Sequence, residues 1–576
     1  MLQINSKPGQ DELRAARNES RGLFVITLLF SSFVNLLMLA GPLYMLQLYD
    51  RVLSSRSEAT LLALTLLLAF LYAMMAILDY TRTQLMTRAA TRFETRMEKR
   101  VFEASMRRSA LQPDANSAGG LRDLDTVQRT ISSPVLMAFM DMPWTPIFLV
   151  GIALFHPWLG MLAVVGGAIL VVVAIINQIL TKRAVGEAGA ASSKASAMAS
   201  QIQGDAEQVQ SMGMMNTSFE RWQKARLAAM RSSVEYTDRG GVFSAFTKSF
   251  RLFLQSAMLG LGAYLVLQDQ LSPGAMIAAS ILLGRALAPV ELAIGQWLLV
   301  QQARQSWANL AQLLSMVPPE ERRTQLPKPK ARLDVQQITV APPGEKQASL
   351  RMLSFSVQPG QAVGVIGPSG SGKSTLARAV TGIWRPAAGK IRLDDAALDQ
   401  YGPVALGEHI SYLPQKVQLF EGTVAENIAR LSMQPDSEKV VQAAQRAGAH
   451  EMILALPEGY DTLVSPSGGG LSGGQIQRIG LARAMYGDPV FLVLDEPNAN
   501  LDHEGTIALN KAIRTLKAEG RSLLIMAHRP AAIQECDLLL MLEKGARAAF
   551  GPRDQVLQAV TRNQASVQAV PSTGGA

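Results

Sequence analysis

Gly367 to Ser374 reads GPSGSGKS, set between the strand-like QAVGVI and the helix-like TLARAVTGI. This is a complete phosphate loop in its proper context. Its glycines let backbone N–H groups approach phosphate oxygens, and the N-terminus of the following helix favours negative charge. Gly367, Pro368, Ser369, Gly370, Ser371 and Gly372 form the cradle, with Thr375 at its far end. Lys373 is placed to reach the terminal phosphates and Ser374 to ligate Mg²⁺. The chemistry of such a loop is phosphoryl transfer, which asks a protein mainly to position groups and neutralise charge.

Further signals follow in order: LSGGQ (Leu471, Ser472, Gly473, Gly474, Gln475), FLVLDEP from Phe491 to Pro497, ANLD ending at Asp502, and MAH ending at His528. The series resembles the ATP-binding cassette family, which implies ATP and Mg²⁺ as cofactors. By that resemblance Asp495 stands beside the metal, and Glu496 orients or deprotonates the attacking water. Gln415, in YLPQ, becomes the metal-contacting switch residue; His528 contacts the γ-phosphate and Asp502 couples two sites. In this family the LSGGQ of one domain closes over the nucleotide of another. The chain carries a single copy of each, so the resemblance implies a dimer, a homodimer having two competent sites and a heterodimer remaining open. Two departures stand out. VAPPG at Val340–Gly344 lacks the family's adenine-stacking aromatic, and Ser465, Pro466 and Ser467 stand where exporters often carry a GE-containing element.

The elements that hold this chemistry are of two kinds. The chain has 576 residues, 48% hydrophobic and 18% charged, and a single cysteine, Cys536, which excludes an intramolecular disulfide framework. Leu23–Tyr49 and Ala59–Leu78 contain no Asp, Glu, Lys or Arg. From Thr130 to Thr181 the only formal charge is Asp141, and FHPW at Phe155–Trp158 divides that stretch into two spans. Further runs cover Leu252–Gln268 and Ala275 to about Trp297. Each is long enough for a bilayer core of about 30 Å, so six transmembrane helices are expected. The leader, Thr81–Arg129 and Lys182–Arg251 are rich in Lys and Arg, whereas the short connections are nearly free of them. The positive-inside rule therefore puts both termini and both long connections in the cytoplasm. The net charge of +9 is mostly topology, and no recognition motif for nucleic acid accompanies it.

The expected fold is thus an α-helical membrane domain followed by an α/β P-loop cassette. Its divisions are a cytoplasmic leader at 1–22, six helices over 23–315, a Pro-rich linker at 316–331, the ATPase domain at 332–560 and a flexible tail at 561–576. The long cytoplasmic connections, such as ATRFETRMEKRVFEASMRRS, extend the spans as helical rods.

DMPWTPIF at Asp141–Phe148, FHPWLG at Phe155–Gly160, GRALAPVE at Gly284–Glu291 and LDEPNANLD at Leu494–Asp502 resemble the inner-membrane transporters of protease-exporting type I secretion systems, the PrtD-like group. The resemblance covers nearly the whole chain. It implies ATP-driven export of an unfolded polypeptide bearing a C-terminal signal across a Gram-negative inner membrane, with a periplasmic adaptor and an outer-membrane channel as partners. About 22 residues precede the first span, too few for a peptidase domain. Lipid or drug exporters share the architecture, and a nucleotide-gated channel or regulator is a reading of another class. Within the membrane, Asp141 and Arg285 lie at matching depths, each about 21 Å from the outer side. They are candidates for the transport path, either as an ion pair or as two independent charges that line the aqueous cavity or lie near the cytoplasmic interface.

Overall fold

The computed structural model describes residues 7–111, 119–320, 323–324, 326–345, 347–465, 470–528 and 530–559. Pro466, Ser467 and the tail at 561–576 lie outside these described residues. The chain divides into two compact units, Met1–Pro319 and Glu320–Ala576.

The first unit is helical. After α1 (Lys7–Asn18), the first span runs through α2 (Arg21–Leu37), α3 (Ala40–Gln47), a π turn at Leu48–Val52 and α4 (Leu53–Ser55). The second span opens α5 (Glu58–Leu111), which continues without a break for 54 residues. α6 (Gly119–Ile131) leads to a third span broken into α7 (Pro134–Asp141), a 3₁₀ turn at Met142–Trp144 and α8 (Thr145–Phe155). Pro143 and Pro146 cause that break, because neither supplies the backbone N–H a continuous helix needs. His156 is extended and Pro157 opens α9 (Pro157–Gly204), the fourth span. α10 (Ala206–Ser211) precedes α11 (Met215–Leu267), the fifth span, and α12 (Pro273–Gly295), the sixth. α13 (Trp297–Met316) follows a one-residue interruption at Gln296. Among the described residues six helices are long and apolar enough to cross a membrane, and α5, α9 and α11 are the expected rods.

The leader is more than a tether. Leu13 and Ala16 of α1 are buried with Phe93, Met97, Leu310 and Leu314. Arg100 of α5 holds Glu12 at 2.9 Å and also donates to the Leu314 and Val317 carbonyls at the end of α13.

The second unit contains β1 (Leu333–Val340), β2 (Leu350–Val357), β3 (Ala362–Ile366), α14 (Lys373–Val380), β4 (Ala388–Leu393), β5 (Ala396–Ala397), α15 (Pro403–His409), β6 (Ile410–Leu413), β7 (Gly422–Thr423), α16 (Val424–Ile428), α17 (Ser437–Arg446), α18 (His450–Leu454), β8 (Leu463–Val464), α19 (Gly473–Met485), β9 (Phe491–Asp495), α20 (His503–Ala518), β10 (Ser522–Met526), β11 (Leu538–Glu543) and β12 (Ala546–Pro552). An antiparallel sheet has the order β2-β1-β4-β5, and the main sheet the order β12-β11-β3-β10-β9-β6. In the main sheet β11, β3, β10, β9 and β6 run parallel. Strands buried on both faces read as continuous apolar runs, as FLVLD and SLLIM do. Phe491, Val493, Leu524 and Met526 pack on one face with Leu376 and Val380 of α14. Leu492, Leu494, Leu523 and Ile525 pack on the other with α19 and α20.

Candidate active site

Parallel strands put all their C-terminal ends on one edge, where loops following different strands meet. Register makes this concrete: Met526 pairs with Val365 and with Asp495, and Leu494 pairs with Leu413. The phosphate loop leaves β3, His528 follows β10, Glu496 follows β9 and Gln415 follows β6. The fold therefore gathers at one edge four segments that lie up to 161 residues apart in sequence (528 − 367).

The loop keeps its shape through its glycines. Gly367 has φ +154° and Gly372 +100°. A side chain on Gly367 would collide with the Leu542 carbonyl, and one on Gly372 would come within 2.6 Å of Leu350. Lys373 is 6% exposed, and its Nζ donates to the carbonyls of Gly367 at 2.9 Å and Pro368 at 3.0 Å. Burial pulls the Lys373 pKa below its ordinary value, opposed by the charges of Glu496 and Asp495. Burial likewise raises the Asp495 carboxyl, with Glu496 adding to the rise, while a hydrogen bond from Ser374 works against it. Tyr412, on neighbouring β6, is pushed up to about 12 by burial and then by the Asp495 charge.

These residues fit a magnesium nucleotide. The Ser374 hydroxyl and Asp495 carboxylate share a hydrogen bond and are the hard oxygen ligands Mg²⁺ prefers. The Ser371 hydroxyl is buried without a hydrogen-bond partner among the described residues. Thr375 lies in the first turn of α14; Ser369 and Gly370 form the tip of the loop, where a side chain on Gly370 would meet nothing within 4 Å.

Glu496 stands in a strained backbone conformation, φ +50°, with its N–H bonded to the Met526 carbonyl at 3.0 Å. Left-handed non-glycine residues of this kind cluster at functional sites. Its Oε1 lies 3.2 Å from His528 Nε2. Gln415 is exposed just past β6.

The signature segment is built elsewhere. Leu471 precedes Ser472, which caps α19 in a reciprocal box: Ser472 Oγ accepts from Gln475 N–H at 3.3 Å, and Gln475 Oε1 accepts from Ser472 N–H at 2.8 Å. Gly473 and Gly474 lie against Asn500, where a side chain on Gly474 would come within 3.0 Å of the Asn500 carbonyl. Asp502 accepts from Gly505 N–H at 2.7 Å as the cap of α20, and pairs with Arg478 of α19 at 3.2 Å. α14 and α19 cover opposite faces of the sheet. Among the described residues no hydrogen bond joins the phosphate loop to the signature.

In the membrane unit, the candidate pairing of Asp141 with Arg285 is corrected. Asp141 is 9% exposed and accepts from Arg82 Nη1 at 2.9 Å and from Asn35 Nδ2 at 2.7 Å. Arg82 also donates to Ser31 and to Asp79. Asp141 therefore ties the first three spans together and does not line an open cavity. Arg285 is exposed on α12 with no ion pair among the described residues, while Glu291 pairs with Arg251 at 2.7 Å. Arg82 was missed because it lies just beyond the charge-free run, yet helical side chains point back towards the N-terminus and so into the span.

Residues 24–288 match the family profile for the ABC transporter transmembrane region, and residues 350–499 that for the ABC transporter. The type I secretion system ATP-binding protein PrsD of Rhizobium meliloti (strain 1021) is 42% identical over 97% of this chain and 96% of its own. The leukotoxin translocation ATP-binding protein LktB of Mannheimia haemolytica is 27% identical over 93% of this chain and 77% of its own. The solved structure of a bacterial Atm1-family ABC exporter with ATP bound has a TM-score of 0.79 at 21% identity, over 96% of this chain and 99% of that one, a likeness of fold. A cassette edge carrying loop, carboxylates and histidine, behind six membrane-crossing helices and with 42% identity to PrsD along almost its whole length, means that this chain belongs to the ABC transporter family.

Proposed function

We propose that the chain is an ATPase that drives export of an unfolded polypeptide across the inner membrane, as the ABC component of a type I secretion system. The observation that carries the ATPase reading is the convergence of Lys373, Ser374, Asp495, Glu496 and His528 at one sheet edge. The secretion reading rests on the near-full-length similarity to PrsD. Mg²⁺·ATP, when bound, supplies the scissile γ-phosphate and the metal charge that offsets it. Loop N–H groups and Lys373 hold the phosphates, while Ser374, Asp495 and Gln415 are the metal ligands, directly or through water. Glu496 orients a water and takes up its proton, and His528, 3.2 Å from that carboxylate, fixes its direction and reaches the γ-phosphate.

Because the signature helix and the phosphate-loop helix cover opposite sheet faces, Leu471–Gln475 acts on the loop of a second copy, and Asp502 links the two sites. The working form is a homodimer. Both termini are cytoplasmic, and a periplasmic adaptor and an outer-membrane channel continue the route for a substrate with a C-terminal signal. The test is purified transporter in sealed vesicles. ATP-dependent uptake of such a polypeptide supports the reading, and photocrosslinkers along α9, α11 and α12 should capture it. Capture of phospholipid alone would assign the chain to lipid export, and ATP-gated leakage without vectorial uptake to a channel.

A further inference from the structure

Below the membrane, α5 carries Arg88, Arg92, Arg96 and Lys99 along one exposed face. They line an open groove of about 730 Å³, and the acidic residue facing them there is Glu19, which pairs with Arg96 at 3.1 Å. Arg88, Arg92 and Lys99 have no ion pair among the described residues. Thr87, Thr91 and Thr95 stand beside them, so hydroxyl donors alternate with the cations. The opposite face of this stretch, through Met86, Ala90, Phe93 and Met97, is buried. The stripe is therefore held rigidly on a packed helix.

Two magnitudes select its ligand. Arg88 lies ten residues past Leu78, the last of the charge-free run, or about 15 Å along the helix. A headgroup layer of roughly 5–7 Å beyond the hydrocarbon does not reach that far. Residues four apart on a helix are about 6 Å apart along the axis. Alternate residues of an extended chain repeat at about 6.6 Å and point to the same side. A strand bearing carboxylates at alternate positions thus matches Arg88 and Arg92 in step, each guanidinium offering a fork to one carboxylate, while Arg96 is already held by Glu19.

We propose that this face of α5 is a docking track for an extended acidic polypeptide segment, engaged before it enters the membrane. The proposal rests on the polypeptide-export reading and names the chemistry of the cargo it favours.

The experiment uses full-length transporter in phosphatidylcholine nanodiscs without nucleotide, and a fluorescent twelve-residue peptide of alternating Glu and Thr. Neutral Gln-Thr and basic Lys-Thr peptides serve as comparisons. Acidic peptide should bind at least tenfold more tightly than either, with affinity falling as salt rises. The triple variant Arg88→Glu, Arg92→Glu, Lys99→Glu should lose that preference, while Arg88→Lys with Arg92→Lys keeps most of it. Equal binding of the three peptides, or an undiminished preference in the triple variant, overturns the proposal. So does displacement of the acidic peptide by phosphatidylglycerol added to the disc, which would make the track a lipid site. Vesicle uptake of the signal-bearing polypeptide, measured separately, decides the export reading. Uptake alongside indifferent peptide binding would sink the track alone.

Discussion

His528 Nε2 and Glu496 Oε1 lie 3.2 Å apart, although they follow different strands and are separated by 32 residues (528 − 496). The pairing of Asp495 with Met526 across β9 and β10 sets that distance. A glutamate one residue beyond its strand and a histidine two residues beyond its own meet at the same level.

Glu496→Gln keeps the size and hydrogen bonding of the side chain but removes its charge and basicity. Steady-state ATP hydrolysis should fall by about 10²–10⁴-fold while ATP binding persists. Phosphate release and equilibrium nucleotide binding on the same preparation check this. Near-wild-type turnover would remove Glu496 from its role.

Asp141→Asn leaves the buried Arg82 with only the half-exposed Asp79 as counter-charge, a loss smaller than the roughly 3 kcal/mol of a fully isolated buried charge. A thermal unfolding midpoint below wild type is expected. Combining Asp141→Asn with Arg82→Gln should cost less than the sum of the single changes, whereas combining it with Arg285→Gln should be additive. The reverse pattern would restore the Asp141–Arg285 pair.

The raised Asp495 carboxyl gives a signed pH effect. Its folded-state pKa lies above the unfolded value, so the folded protein holds this proton more tightly, and stability drops as pH rises through the interval between the two. Asp495→Asn, which removes the buried charge, should therefore raise the melting temperature of the nucleotide-free protein. The same variant should lose the added stabilisation by Mg²⁺·ATP. Calorimetry with and without nucleotide checks both; a lower melting temperature for the nucleotide-free variant would contradict the burial argument.

With VAPPG at Val340–Gly344 in place of a stacking ring, nucleotide binding should depend chiefly on the phosphates. ATP and GTP are expected to compete within a few-fold of each other. Strong ATP selectivity in competition binding would mean that another residue stacks on the base.

The phosphate loop was legible in the sequence because its function demands local backbone shape, which glycines at fixed spacing specify. The spans were legible because a bilayer demands a run of residues without charge. Side-chain partners across helices were not. Counting residues from the outer turns gives the depth of Asp141 but not its direction, and it passed over Arg82, whose side chain reaches back into the span. Arg478, which holds Asp502, carries no local signal either, since the ion pair depends on how α19 and α20 share one sheet face. The docking of α1 rests on Leu13 and Ala16, too small an apolar set to read without the groove that receives it.

The uninterrupted length of α5 has a mechanical consequence. At about 1.5 Å per residue, 54 residues make a lever of roughly 80 Å. A tilt of about 5° at one end then displaces the other by about 7 Å, more than one helical turn, without a single hydrogen bond along the shaft changing partner. α9 and α11 are levers of similar reach at 48 and 53 residues. The sixth span differs, because the interruption at Gln296 separates α12 from α13. Unlike α5, α9 and α11, which run on unbroken, it is jointed there, so it can flex where those three must swing.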